Sequence, residues 1–360
     1  MPWEVKPESE AMFDRRRNGV DSLRACGFDT IAFARPDQVG EVERAGLRAL
    51  VRRPDDGQVD WQALSDRAIV TRVRELAHSS HRSDAVLGYF LADEPGAAEF
   101  PALAKAVAAV KRLAPGKLAY VNVQPNYASR SQLGTRSYAQ YLERYVSEVK
   151  PQFIGYDNYG IQLATQPKAR RRAADYYRNL LQVRRVALQH GLPFWVALSS
   201  KRIRPRAAAV SPAMLRVQAY TALAAGAHGL TWFTYYPTQY DGTPIDAAGN
   251  RTAIWASLRK VNRRVMSLAR ILGRLHSIGV YFAHPAPASS LPLLPGRLVR
   301  SVETPTPVMV GEFAGSTETR YALVVNLSLK RSARAVVTVL GKRARRTLRL
   351  AAGQAALLKL

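Results

Sequence analysis

VLGYFLADEP, residues 86–95, is a compact apolar run that stops abruptly at Asp93, Glu94 and Pro95. Proline has no N–H to donate to a β-ladder, so the run reads as a strand of about six residues, 86–91, with polar residues at its end. Leu64, Val70, Val73 and Leu76 precede it at helical spacing, and Leu103, Val107, Val110 and Leu113 follow it in the same way. A strand between two amphipathic helices is the unit of a parallel sheet.

The same alternation extends in both directions. Strand-like runs fall at 30–34, 47–51, 118–123, 152–156, 194–198 and 229–234, each divided from the next by a helical pattern. Tyr138, Tyr141, Leu142, Tyr145, Val146 and Val149 mark one such helix, and an arginine-rich stretch at 168–190 marks another. Seven strands over about 245 residues fit an α/β fold, a (β/α)8 TIM barrel spanning 1–276 whose first strand is short or missing, with 2–5 as its remnant and a helical pattern from about Glu8. An open doubly wound sheet is the competitor, but no G-x-G-x-x-G turn follows any strand. From 277 to 360 the helical period gives way to short runs at 308–313, 321–326, 335–340, 346–350 and 355–360, predicting a small antiparallel β-sandwich.

Composition narrows the classes further. With 47% apolar residues in 360 the chain can bury a core, and one cysteine, Cys26, excludes an internal disulfide scaffold. No run approaches the ~20 apolar residues of a membrane span, and the first residues lack the apolar core of a signal peptide. The chain reads as soluble: secreted or periplasmic if its N-terminus is truncated, otherwise cytoplasmic. The 53 Lys and Arg against 27 Asp and Glu give a formal charge of +26, which favours polyanionic partners.

In such a barrel, chemistry gathers at the C-terminal ends of the strands. The residues there are Asp93 and Glu94; Asn122, Gln124 and Asn126; Asp157, Asn158 and Tyr159; Ser199, Ser200 and Lys201; and Trp232, Tyr235 and Tyr236. Carboxylates occur at only two of these ends, strands four and six when the missing first strand is counted. Facing carboxylates are what glycosidic cleavage requires, one to protonate the leaving oxygen and one to attack or to activate water. Asn122, Gln124, Asn126, Tyr159 and Lys201 are candidate sugar ligands, and Trp232 and Tyr235 candidate platforms for a sugar's apolar face. The competing roles are local: Asp93 and Glu94 as helix N-terminal acids, Asp157 as a turn cap, Trp232 and Tyr235 as packing. His78 and His81 have H-x-x-H spacing without a third ligand, and Ser199 and Ser200 lack a G-x-S-x-G turn, so neither zinc nor a serine nucleophile is expected. No cofactor or metal is expected.

At these residues the chain resembles the barrel glycoside hydrolases. GYFLADEP (88–95) resembles their strand-four motif, PQFIGYDNYG (151–160), LPFWVALSS (192–200) and AYTALAAGAHGLTWFTYYP (219–237) their strands six to eight, and IDAAGNRT (245–252) the turn into the last helix. VGEF (310–313) and YALVVNLS (321–328) resemble the β-sandwich often appended to them. The resemblance implies that Glu94 is the general acid/base. It fails after strand seven, where many relatives carry a nucleophilic glutamate and this chain has Ser199-Ser200-Lys201, so Asp157 or Asp93 must be the second carboxylate. A barrel that binds carbohydrate or associates with cell wall without cleaving is the rival reading.

Basic residues cluster at Arg170, Arg171, Arg172, Arg184 and Arg185, at Lys201, Arg202, Arg204 and Arg206, and at Lys342, Arg343, Arg345 and Arg346. Helix arginines read as a solvated surface. The loop after strand seven can overhang the site and favour an anionic carbohydrate such as a uronic-acid glycan or a wall polymer. Nucleic acid is not the expected partner, because aromatic residues are not interleaved with the arginines.

Overall fold

The computed structural model describes residues 1–3, 19–53, 59–78, 80, 82–163, 169–204, 207–237, 242–316, 318–342 and 345–360, without the side chains of 163–172. Eight parallel strands close into a barrel in chain order: β1 (Pro2–Trp3), β2 (Thr30–Ala34), β3 (Arg48–Val51), β4 (Val86–Asp93), β5 (Leu118–Val123), β6 (Ile154–Asp157), β7 (Phe194–Ser199) and β8 (Gly229–Phe233). One principal helix follows each strand: α1 (Val20–Ala25), α2 (Val39–Arg44), α3 (Asp66–Ala77), α4 (Phe100–Leu113), α5 (Tyr138–Arg144), α6 (Ala169–Gln189), α7 (Pro212–Ala224) and α8 (Ala253–Leu272). Side-chain caps start several of them, Ser65 accepting from the Ala68 N–H and Ser211 from that of Met214.

The short first strand is present as two residues. Trp3 pairs with both Ala32 and Phe233, which closes the ring. Val5 and the helical pattern from Glu8 lie outside the described residues.

Aromatic rings fill the barrel. Trp3, Phe33, Phe90, Tyr120, Phe153, Trp195 and Phe233 form one interior cluster, with ring centroids 4.5 Å apart for Phe33 and Phe90 and 5.0 Å for Phe153 and Trp195. Such contacts hold the strands by dispersion and by edge-to-face geometry. Room for Trp195 comes from β8, where a Cβ on Gly229 would stand 2.3 Å from the indole.

The C-terminal residues form two antiparallel sheets. One has the order β15-β12-β11-β9, from β9 (His276–Ala283), β11 (Val308–Ala314), β12 (Arg320–Asn326) and β15 (Ala355–Lys359). The other has the order β10-β13-β14, from β10 (Val299–Glu303), β13 (Ala333–Val339) and β14 (Arg345–Leu350). Val302, Val310, Val324 and Val337 pack between them. Two strands were not anticipated: β9 is buried along much of both faces and so lacks a clean alternation, and β10 is short and interrupted by a register shift.

Helix α7 joins the two parts. Eleven of its 13 residues are buried, because it lies against β7 on one side and against β11 and β12 on the other. A helix apolar all round belongs between two layers. Its alanines let the tail sheet come so close that a Cβ on Gly311 would stand 2.0 Å from the Ala224 carbonyl oxygen. Gly311→Ala is therefore expected to destabilise the chain by about 1–3 kcal/mol through overpacking, read as a lower urea midpoint. An unchanged midpoint would mean that the sheet can move off α7 without loss.

Candidate active site

The C-terminal end of β4 departs from regular pleating. Phe90 points into the barrel, but the register against β5 slips between Phe90 and Ala92, which brings Asp93 rather than Ala92 opposite Asn122. Glu94 then takes a left-handed backbone with φ of +50°, a conformation that non-glycine residues seldom adopt. Its main chain is clamped there. The Glu94 N–H donates to Asn122 O at 2.7 Å, Gln124 Nε2 donates to Glu94 O at 2.6 Å, and the Tyr141 hydroxyl donates to Pro95 O at 2.7 Å. Backbone strain of this kind persists only where surrounding bonds enforce it.

Asn122 Nδ2 donates to Asp93 Oδ1 at 3.0 Å and to Asp157 Oδ1 at 3.1 Å, so one amide bridges the carboxyls of β4 and β6. Asp157 is 4% exposed, and its carboxyl is in hydrogen-bonding contact with that of Glu94. Burial, then repulsion from Glu94 and Asp93, raises Asp157 well above the usual aspartate range. Glu94 is also raised, first by burial and then by Asp93, while its bond to Asp157 opposes the shift. Asp93 is raised by burial against the Asn122 bond and the Arg52 charge. Arg52, buried at the end of β3, lies 4.8 Å over the Phe33 ring.

Glu94 stands between two hollows. One, of about 390 Å³, is lined by Glu94, Gln124, Tyr127, Asp157, Tyr159, Arg204 and Phe233 among others; the second, of about 350 Å³, by Asp60, Gln62, Asp93, Glu94 and Glu99. In the first, Tyr159 stacks on Phe233 with centroids 5.7 Å apart, and Lys201 Nζ sits 4.6 Å over the same ring. The loop carrying Arg204 is buttressed: Ser199 Oγ and Gln162 Nε2 both donate to Lys201 O, and the Ile203 N–H donates to Gln162 Oε1. Ser200 Oγ donates to Thr234 O just past β8, so one serine hydroxyl holds the loop and the other ties the end of β7 to the end of β8.

The predicted residues therefore divide. Asp93, Glu94, Asn122, Gln124, Asp157, Tyr159 and Lys201 come together at the mouth. Asn122 and Gln124 do so as supports for carboxyl and main chain. Asn126 instead faces α6, its backbone N–H donating to Asn179 Oδ1 and its side-chain amide to Asp175 O. Trp232 and Tyr235 are not platforms. Trp232 Nε1 donates to Asn262 Oδ1 on α8, and the Tyr235 hydroxyl lies between Ser22 Oγ and Trp255 Nε1. For Trp232 strand parity is the cause, since on β8 it is Phe233 that faces inward and its neighbour faces the helices, whereas Tyr235 lies beyond the end of the strand.

Tyr127, Phe233 and Arg52 were not singled out as site residues, whereas Arg204 belongs to the basic loop after strand seven that the sequence places over the site. Tyr127 is 47% exposed overall while its hydroxyl end turns toward the Tyr159 backbone, and burial together with Asp157 and Glu94 pushes that hydroxyl up. An aromatic residue two positions after Pro125, just past a strand end, is the signal the sequence offers. His81 and Arg206 lie outside the described residues. Among the described residues, no group of three or more His, Cys, Asp or Glu side chains is arranged to hold a metal ion, and no helix is long and apolar enough to cross a membrane.

Neither a protein-family profile nor a curated protein matches the sequence. Solved structures do match by shape. The β-galactosidase from Rahnella sp. R3 aligns over 76% of this chain and 56% of its own at 13% identity and a TM-score of 0.57. Saccharomyces cerevisiae Gas2p with laminaritetraose and laminaripentaose aligns over 73% and 63% at 13% identity and 0.53. The GH5_18 protein from Streptomyces cattleya with Manb1-4GlcNAc aligns over 70% and 75% at 14% identity and 0.51. The chain spans less than two-thirds of the length of the β-galactosidase. The likeness to these structures is one of fold, that of the closed eight-stranded barrel.

Proposed function

We propose that the chain is a glycoside hydrolase whose proton donor is the Glu94–Asp157 pair. The observation that carries this reading is the left-handed Glu94, clamped between two hollows with its carboxyl against a buried aspartic acid. A hollow on each side of one acid suits a sugar chain with the scissile bond over Glu94. Burial and mutual repulsion raise both carboxyls, and two touching carboxyls resist ionising together, so the pair favours keeping one proton between them. Glu94 hands that proton to the leaving glycosidic oxygen, and the negative charge left on the pair faces the positive charge that develops on the sugar.

The contact is closer than the ~5–5.5 Å gap of a nucleophile and acid or the ~6.5–9.5 Å gap that admits a water. Asp157 therefore works with Glu94 as one unit. Asp93, lining the second hollow and raised by burial against the opposing pull of Asn122 and Arg52, is the remaining carboxylate for accepting a proton from the attacking water. A carbohydrate bearing an acidic group fits the first hollow, where Arg204 is exposed and has no ion pair among the described residues. The rival reading, binding without cleavage, is supported by the two serine hydroxyls that occupy the strand-seven position and are spent on main-chain carbonyls, of Lys201 and Thr234.

A glycan-library hydrolysis screen separates the two. Glu94→Gln is expected to lower kcat by about 10²–10⁴-fold, the usual contribution of general acid catalysis. Wild-type turnover in Glu94→Gln would remove the assignment, and binding without turnover by the wild type on every glycan would favour the rival. Stability gives a second check. The folded chain holds Asp157 above its unfolded pKa of about 3.9, so stability is fullest below that pH and declines as pH rises toward the folded value. Asp157→Asn does not titrate and should be more stable than the wild type at pH 7 by about 1–3 kcal/mol, with the difference closing near pH 3. Parallel stability curves across that range would contradict a proton-sharing pair. For the acidic group, Arg204→Gln should raise KM for a uronate-containing oligosaccharide about tenfold, the loss of one charge-assisted bond, and leave a neutral one unchanged. An equal rise for both would place Arg204 outside acid recognition.

A further inference from the structure

The outer face of the three-stranded sheet β10-β13-β14 differs from the rest of the basic surface. Its inner face carries Val302, Ala335, Val337 and Leu350 in the sandwich core, so the alternate residues of β13 and β14 point to solvent. Register sets Arg334 directly opposite Arg349, Val336 opposite Thr347, and Thr338 opposite Arg345. Arg334 and Arg349 are both exposed, and neither makes an ion pair or hydrogen bond among the described residues. Like charges directly across two strands are about 5 Å apart at Cα and destabilise the pair.

More cations meet them at that end of the sheet. Asn326 Nδ2 donates to the carbonyls of Arg331, Leu350 and Ala351, which fixes the loop before β13 beside the end of β14. Lys330 and Arg331 on that loop are exposed and also without ion pairs among the described residues. Arg345, at the far end, is already paired with Glu303. Residues 277–360 hold twelve Lys and Arg against three Asp and Glu, and one of those three, Glu312, is buried with its oxygens on the N–H groups of Arg297, Leu298 and Val299.

We propose that this face is a docking surface for an anionic polysaccharide, its acidic groups seated on Lys330, Arg331, Arg334 and Arg349. A linear polyanion relieves the repulsion that the sheet register builds in, and counterions released from both partners add to the attraction. The rest of the face favours a sugar chain over nucleic acid. Thr338, Thr347 and Ser301 offer hydroxyls to sugar hydroxyls, whereas no aromatic side chain on these strands is available to stack on a base.

The test uses the full chain, with binding to polygalacturonate, dextran and single-stranded DNA measured between 20 and 300 mM salt. The double variant R334Q/R349Q should bind polygalacturonate about tenfold more weakly at low salt, with a log–log salt slope shallower by one to two. K330Q/R331Q should act in the same direction, and R112Q/R270Q, which removes the same charge from exposed barrel positions, should change binding by less than twofold. Thermal unfolding of R334Q/R349Q should be unimpaired, because the lost pair is repulsive. An equal loss in the R112Q/R270Q control would reduce the effect to net charge and overturn the proposal. So would tighter binding of DNA than of polygalacturonate, or no binding of polygalacturonate at low salt.

Discussion

Three carboxyl groups share one end of the barrel, and burial raises the cost of ionising each of them. That constraint shapes the residues nearby. Asn122 directs both of its amide hydrogens at Asp93 and Asp157, and Arg52 brings a full positive charge near Asp93 without reaching the other two acids as a dominant influence. What those partners leave uncompensated raises the affinity of Glu94 and Asp157 for a proton. A group that only capped the following helix would not need such company, because an exposed carboxylate at a helix start is already favoured.

Holding the proton at the right place is a problem of backbone as much as of charge. Glu94 could not reach Asp157 from regular pleating after the slip at residues 90–92, because that slip turns Asp93 inward and its neighbour outward. The left-handed turn restores it, at a cost of roughly 1–3 kcal/mol for a non-glycine residue. The bonds that enforce the turn come from β5 and α5, so the geometry of one side chain depends on the packing of a whole barrel sector. Tyr141, buried and 5.3 Å from Phe100 between ring centroids, links that clamp to the helix layer. The aromatic floor beneath, closed by the two residues of β1, keeps the sector from relaxing.

Much of this was legible before any coordinates. A chain that alternates short β-branched runs with amphipathic helices has few architectures open to it, and the acids at the ends of the third and fifth runs were found by that reading alone. Side-chain direction was less accessible. Trp232 and Phe233 are adjacent aromatics at a strand end, and only the register with β1 and β7 decides which one enters the barrel. Asn126 was misjudged for a related reason: Pro125 ends the strand, so the period of two that carries Asn122 and Gln124 inward does not continue past it. Strand β9 escaped notice because burial on both faces erases alternation, and no sequence pattern marks a left-handed glutamate.

The net charge of +26 also takes on a different meaning once its residues are placed. In physiological salt, exposed charges farther apart than about 8 Å are largely screened, so the total does not act as one field. What counts is where cations stand together without partners. Lys201 is held over Phe233, and Arg178, Arg144 and Arg345 are paired with acids, which removes them from that count. Among the described residues, Arg204 at the cleft and the cluster of Lys330, Arg331, Arg334 and Arg349 on the sandwich are not held in this way. A long acidic polymer held on the sandwich would be presented to the cleft at a raised effective concentration, whereas a short oligosaccharide engages one place at a time. On that reasoning the two basic sites favour polymer over oligomer in concert, and their combined effect should weaken faster with salt than either site alone.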